Sequence, residues 1–306
     1  MKLPIREELE GLAQMHSSID TLAILHAAIK LEVFTDIRNG LHTPGEIVKK
    51  RGYETNSLES LLNSLVSLEY LSKSNNNEYQ LKEKAIIYLE IPESVNLVKL
   101  SKVYLDLFNF DKRVRDNKVF YPDDSEWEII TAISSSSTEL LINYLSGLLP
   151  QIRTDTLKIV DLACGNASHI INLIKQNSKI KATGVEINTS IAENAKKNIR
   201  EHKFENMAQI ENSDMFIHNL GSDNDIVFLF SALRGFDYIK FKQLCEKVFQ
   251  SLNKGGYLII HDFFLDNEKI QPMENVLFNL KIVLSSDNGR LLTIKECESI
   301  KTIGFR

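Results

Sequence analysis

Apolar residues recur at three- and four-residue steps through LAILHAAIKLEVF (22–34), the spacing of an amphipathic helix. TPGEIVKKRG (43–52) predicts a second helix with both ends marked. Thr43 is its N-cap, Pro44 its first helical residue, Glu46 the capping-box partner and Gly52 the stop. NSLESLLNSLVSLEYL (56–71) predicts a third helix, capped by Asn56 or Ser57. YLSKSNNNEYQL (70–81) predicts two short strands around an Asn-rich turn. Three helices and a hairpin are the plan of a winged-helix unit. Helical patterning continues over 100–150 with a break near Tyr121-Pro122-Asp123-Asp124, and SSSST (134–138) reads as a bend or N-cap region.

From residue 157 the rhythm changes. LKIVDLA (157–163), IKATGVEI (180–187), MAQIENSDM (207–215), NDIVFLFSAL (224–233) and NKGGYLIIHDFF (253–264) predict strands. Between them lie helical patterns at 169–177, at 189–203 with Thr189 or Ser190 as cap, and at 236–252. Such alternation predicts an α/β fold with a parallel sheet covered on both faces, binding ligands beyond the carboxyl ends of its strands. The expected domains are 1–98, a helical connector at 99–150 and the α/β domain at 151–306.

Composition narrows the partners. The chain has 306 residues, 43% hydrophobic and 25% charged, enough for two domains with a sizeable core. A net charge of −5 argues against nucleic acid or an anionic membrane. Residues 1–100 hold 11 Lys and Arg against 14 Asp and Glu, so the winged unit lacks the basic stripe of a DNA reader. KKR (49–51) reads as a solvated helix end. Cys164, Cys245 and Cys297 are far apart and have no metal spacing, which fits a reduced cytoplasmic setting. The N-terminus lacks an apolar signal core, and apolar runs such as IVFLF (226–230) are too short to span a bilayer.

The candidate chemistry sits in IVDLACGNASHI (159–170), an apolar strand entering a small-residue turn and then a helix. Ala163 and Ala167 flank the single Gly165, so the three-glycine dinucleotide fingerprint is absent, as is the phosphate-binding P-loop. Asp161 stands at the mouth, where it would repel a pyrophosphate but suit an ammonium and a sulfonium. S-adenosylmethionine carries both. Glu186 ends the next strand, placed to accept from ribose hydroxyls. Asp214-Met215-Phe216 follows the third strand, where an acid could accept from an adenine amino group and Met or Phe could cover the ring.

With these motifs the chain resembles the S-adenosylmethionine-dependent O-methyltransferases of the plant caffeate, hydroxyindole and bacterial polyketide-tailoring type. The likeness runs from LAILHAAIKLEVFTDI (22–37) through IVDLACGNA (159–167), GVEI (184–187), NSDMF (212–216) and LNKGGYLIIHDFFLDN (252–267) to LLTIKECESIKTIGFR (291–306). The resemblance implies a Rossmann-like methyltransferase domain behind a winged-helix dimerisation domain, a homodimer through the N-terminal helices and a small-molecule substrate. It implies S-adenosylmethionine contacts at Asp161, Ala163, Gly165, Glu186, Asp214, Met215, Phe216 and Ser231. It also implies substrate contacts at Tyr144 and Asn279, under a roof from VYLDLFNF (103–110) and MENVLFNL (273–280), with core packing the alternative for Tyr144 and core or dimer packing for the roof stripes.

Two departures stand out. The family's fourth strand ends in a histidine that deprotonates the substrate; here SALRGFD (231–237) puts Arg234 at that place and Gly235 at the following acid. An arginine stays protonated, so Arg234 is expected to hold a substrate anion, or else to pair with Asp237 or cap a helix. His261 is the remaining candidate base, at the end of the fifth strand. His169, His202 and His218 read as helix or loop residues, and no metal is expected. The family's last two strands have no counterpart after Arg306, which would leave a sheet edge uncovered. O-methylation is the leading function. C-methylation of an α-keto acid gripped by Arg234 is the alternative, and a cofactor-binding protein that does not methylate is the reading from another class.

Overall fold

The computed structural model describes residues 5–90, 95, 96, 98, 99, 101 and 105–305. Val103 and Tyr104 of the expected roof, and Arg306 of the last motif, lie outside the described residues. The chain forms two compact units, Met1–Lys102 and Val103–Arg306.

In the first unit α1 (Ile5–Lys30) does not run on to residue 34 as its periodicity predicts. The chain turns at Glu32, in the left-handed region at φ 55°, and α2 (Val33–Arg38) begins. The turn brings Val33, Phe34 and Ile37 into one core with Leu25 and Ala28. In α3 (Pro44–Arg51) the Thr43–Glu46 capping box and the left-handed Gly52 terminator are both present. KKR is no idle solvated end, because Lys50 and Arg51 bind Asp36, whose side chain is fully buried. α4 (Thr55–Ser67) starts one residue early. Its cap is Glu54, whose carboxylate accepts from Asn56 and Ser57 backbone N–H groups, so neither of those residues is the cap. β1 (Leu71–Lys73) and β2 (Tyr79–Leu81) form the antiparallel hairpin, and α5 (Glu83–Glu90) follows.

In the second unit α6 (Phe110–Asp116), α7 (Asp124–Ser135), α8 (Thr138–Leu148) and the short α9 (Gln151–Thr154) lead into the sheet. Asp123 and Glu126 close a capping box at the start of α7, which is why the chain breaks there. Then come β3 (Lys158–Leu162), α10 (Ser168–Gln176), β4 (Lys181–Glu186), α11 (Thr189–Glu201), β5 (Ala208–Asn212) and β6 (Asn224–Phe230). α12 (Tyr238–Ser251), β7 (Leu252–His261), α13 (Met273–Ser285) and α14 (Ile294–Glu298) complete the unit. The cap of α11 is Asn188, one residue before the expected Thr189, because the asparagine carbonyl reaches the Ile191 N–H.

The five strands are parallel in the order β5-β4-β3-β6-β7. Strand alternation sorts the side chains. Ile159, Ala182, Phe228 and Phe230 pack into one layer with α8, α10 and α11. Val160, Leu162, Val185 and Leu229 pack into the other with α12. Among the described residues β7 is an edge strand of this sheet, bonded to β6 alone. Beyond α14, Ile300, Ile303 and Phe305 pack on the α12 layer, with Phe305 edge-on to Phe249.

Candidate active site

All the candidate residues on the sheet lie at its carboxyl edge. The turn after β3 is tight, with Ala163, Gly165 and Ala167 all in the left-handed region at φ 57°, 56° and 66°. That conformation costs an alanine roughly 1–2 kcal/mol, so the surroundings hold it. Asn166 is the hub. Its side-chain oxygen accepts from the Ser168 N–H, the Ser168 hydroxyl and, on α7, the Ser135 hydroxyl. Asn198 of α11 donates to its backbone carbonyl. A side chain at Gly165 would have its Cβ 3.1 Å from the Thr131 methyl of α7. Gly184, opposite Asp161 in the register, has no room at all, since a Cβ would stand 2.7 Å from Cys164 Sγ.

Glu186 is buried at the end of β4 and braces the same turn. One oxygen accepts from the Gly165 N–H at 3.1 Å and the other from the Asn188 N–H at 2.9 Å. Each oxygen keeps a lone pair that a hydroxyl can use. Asp214 accepts from the Phe216 N–H at 2.8 Å. Met215 and Phe216 pack toward the α12 layer, Phe216 edge-on to Phe236 at 5.1 Å, and Lys247 holds both their carbonyls.

Asp161 shares its sheet face with Ile159 and so points at α10. Its side chain is 1% exposed, and neither oxygen has a hydrogen bond. His169, in the first turn of α10, puts Nδ1 3.7 Å from Asp161 Oδ2. The imidazole rests edge-on to Phe230 at 4.8 Å, and His261 stands edge-on to the same ring at 6.0 Å. His169 therefore belongs to the site and is not the plain helix residue expected from sequence. Burial pushes its pKa down to about 4, helped by His261, and burial with the nearby Glu186 pushes Asp161 up to about 8. Its only sequence signal is a position eight residues after Asp161 at a helix start.

Arg234 lies in a 3-10 turn, Leu233–Gly235, beyond β6. Its partner is Asp262, not the expected Asp237, which is the N-cap of α12. The Arg234 Nε sits 3.8 Å from Asp262 Oδ1 and is buried without a hydrogen bond. Asp262 itself accepts from the Leu233 and Phe263 N–H groups. The Arg234 guanidinium lies over the Phe278 ring at 5.1 Å. Burial lowers the Arg234 pKa and raises that of Asp262, and each charge partly offsets the other's shift.

Ser231, left-handed at φ 52°, donates its N–H to the His261 carbonyl and so ties the ends of β6 and β7 together. The structure does not bring Tyr144 to the site. Its side chain is 66% exposed, and its neighbours Asn143 and Ser146 bind Gln176 at the far end of α10. Asn279 is engaged structurally, accepting from the Leu291 N–H at 2.8 Å. Among the described residues no group of three or more His, Cys, Asp or Glu could hold a metal ion. Nor is any described helix long and apolar enough to cross a membrane.

The chain is similar to several known proteins. Residues 153–298 match the family described as "Methyltransferase domain". An uncharacterized protein of Methanocaldococcus jannaschii is 28% identical over 132 residues, a match that spans 43% of this chain and 33% of that relative's length. An O-methyltransferase family protein from Burkholderia thailandensis superposes with a TM-score of 0.80 at 18% identity, covering 97% of this chain and 93% of its own. Human N-acetylserotonin methyltransferase, solved in complex with S-adenosylmethionine, has a TM-score of 0.71 at 19% identity, covering 98% and 92%. Residues 153–298 thus match the methyltransferase-domain family, and the chain as a whole shares its fold with these two solved structures.

Proposed function

We propose that the protein methylates an oxygen of a small molecule with S-adenosylmethionine, and that Arg234 holds an anionic group of that substrate. The observation that supports the cofactor is the Asp161 carboxyl, buried at the turn with no donor on either oxygen. A ligand with a positive charge supplies what it lacks, because a nearby cation favours the ionised carboxylate. The left-handed backbone at Ala163 and Gly165 shapes the turn for close approach, and Glu186 keeps acceptor capacity for ribose hydroxyls. Asp214, Met215, Phe216 and Ser231 complete the proposed cofactor set at the ends of β5 and β6.

S-adenosylmethionine supplies a methyl group activated on a sulfonium. The remaining work is orientation and proton removal. Arg234 cannot take a proton, but its guanidinium, backed by Phe278 and Asp262, can fix a carboxylate or phenolate. Alignment of this kind supplies roughly 7–11 kcal/mol of a barrier. His261 is exposed at the end of β7 and stands as the proton acceptor for a neutral hydroxyl. The same buried guanidinium favours a second reading, C-methylation of an α-keto acid whose carboxylate it grips.

A homodimer through the first unit is part of the proposal. Met15, Leu22, Ile86 and Ile87 leave apolar surface exposed there. Light scattering tests it, and a monomer at micromolar concentration would remove it. The function is tested by incubating the protein with methyl-labelled S-adenosylmethionine and a panel of phenols, hydroxy acids and keto acids. Label transfer to an oxygen is the expected result, and transfer to carbon would replace it with the second reading. Cofactor binding without transfer to any acceptor would remove the methylation, and no binding would remove the cofactor assignment.

A further inference from the structure

Asp161 is the group in this site that the reaction itself leaves unexplained. It contacts no donor, although buried carboxyls normally have one. Every element packed around it withholds a lasting positive charge. On the β4 side stand Gly184 and then Glu186, an acid of the same sign. On the β6 side stands Phe228. The turn contributes Cys164, a thiol whose pKa burial raises, so it brings no positive charge. α10 contributes His169, with Nδ1 at 3.7 Å, and His261 at the end of β7 contacts the Phe230 ring that His169 rests on. His169 makes no hydrogen bond through either ring nitrogen among the described residues, and its burial disfavours the imidazolium.

A carboxylate in these surroundings would be an isolated buried charge, which costs far more than holding a proton. The neutral acid is the form the geometry supports, and burial raises the Asp161 pKa to about 8 in agreement. A cationic ligand reverses the balance, because a positive charge within about 4–6 Å favours the ionised form.

We infer that the cradle is loaded in exchange for a proton: Asp161 is a neutral acid beside His169 until a cationic cofactor binds, and binding expels the Asp161 proton to solvent. The balance is simple. The O–H bond of the Asp161 acid breaks, the proton goes to buffer, and the carboxylate left behind neutralises the arriving cation. No electron is transferred. This rests on the S-adenosylmethionine reading above. Its consequence is an affinity that climbs about tenfold per pH unit well below the Asp161 pKa, the slope for one proton released.

The experiment is calorimetric titration of the full chain with S-adenosylmethionine at about pH 6, where the cofactor's amino group keeps its own proton. It is run in buffers of different ionisation enthalpy. The expected result is close to one proton released per cofactor bound, and none in Asp161→Asn. Should Asp161→Asn not bind, infrared difference spectra of the unaltered chain decide, since the carboxylic-acid carbonyl band must vanish on binding. Tight binding at about pH 6 with no buffer dependence and no lost acid band overturns the inference and leaves the cofactor assignment standing. No binding at any pH overturns both.

Discussion

The Arg234 guanidinium stacks on the Phe278 ring, 5.1 Å from its centroid, while its nearest acid, Asp262, stays 3.8 Å from Nε. A bonded ion pair would be shorter, so the guanidinium is positioned with hydrogen-bonding capacity to spare. Arg234→Ala should raise KM for the acceptor by roughly ten- to a hundredfold, the worth of a charge-assisted hydrogen bond of about 1.5–3 kcal/mol. Cofactor affinity should stay nearly unchanged. Steady-state kinetics beside a cofactor titration checks both, and an unchanged KM would remove the anchor.

His261→Ala should lower kcat by about 10²–10⁴ with a neutral hydroxyl acceptor, the usual worth of a general base. The cofactor Kd should hold, because the imidazole is exposed at the end of β7. A variant as fast as the parent would mean that the substrate arrives already ionised.

Gly184→Ala tests the packing behind the cradle. The new Cβ would meet Cys164 Sγ at 2.7 Å, Ile210 at 2.8 Å and Ile170 at 2.9 Å. Overpacking of this kind costs about 1–3 kcal/mol. At about 2–4 °C per kcal/mol for a unit of this size, a fall in Tm of several degrees should appear in a thermal melt. An unshifted melt would mean that β3, β4 and α10 can move apart.

The stability of the cofactor-free protein should carry a signature of Asp161. Its folded pKa, about 8, lies above the unfolded value of 3.8, so the folded chain binds the proton more tightly. That contribution is full below about pH 4 and is lost as pH rises through about 8. Glu296 works in the opposite direction. Its hydrogen bond to Arg290 brings it down to about 2, so its contribution is present above the unfolded value of 4.5 and lost as pH falls toward 2. Melts of Asp161→Asn should therefore exceed those of the parent near about pH 8, with the gap closing near about pH 4. Parallel pH profiles would show that Asp161 is not perturbed.

Local features were legible because they are written within a few residues. The Thr43–Glu46 box with Gly52, the strand–helix alternation after residue 157 and the acid at Asp161 all needed only neighbours in sequence. Caps misled where an unusual residue took the role, as Glu54 does for α4, or where the side chain reached from one position earlier, as Asn188 does for α11. The site was harder to read. Whether His169 faces Asp161 depends on how α10 is rotated over the sheet, and periodicity fixes only which stripe is apolar. Arg234 finds Asp262, 28 residues on, because β6 and β7 are neighbours, whereas sequence offered the nearer Asp237. Tyr144 shows the converse, an aromatic in a plausible helix that the docking of α8 leaves facing outward.

Phe278 is held in place from a distance. Arg113 of α6 donates from Nε to the Val283 carbonyl and from Nη2 to those of Ser286 and Asp287, and the Phe120 N–H bonds the Leu284 carbonyl. The exposed Tyr121 hydroxyl adds a bond to the Asp287 carboxylate. The Val283 and Leu284 ties satisfy two of the last carbonyls of α13, groups a helix end otherwise leaves to water. The stretch from α6 to Tyr121 and the α13 wall are therefore tied together as one piece. A protease nick between residues 116 and 122 would be felt at Arg234, loosening the acceptor's seat while the sheet and its cofactor edge stayed whole.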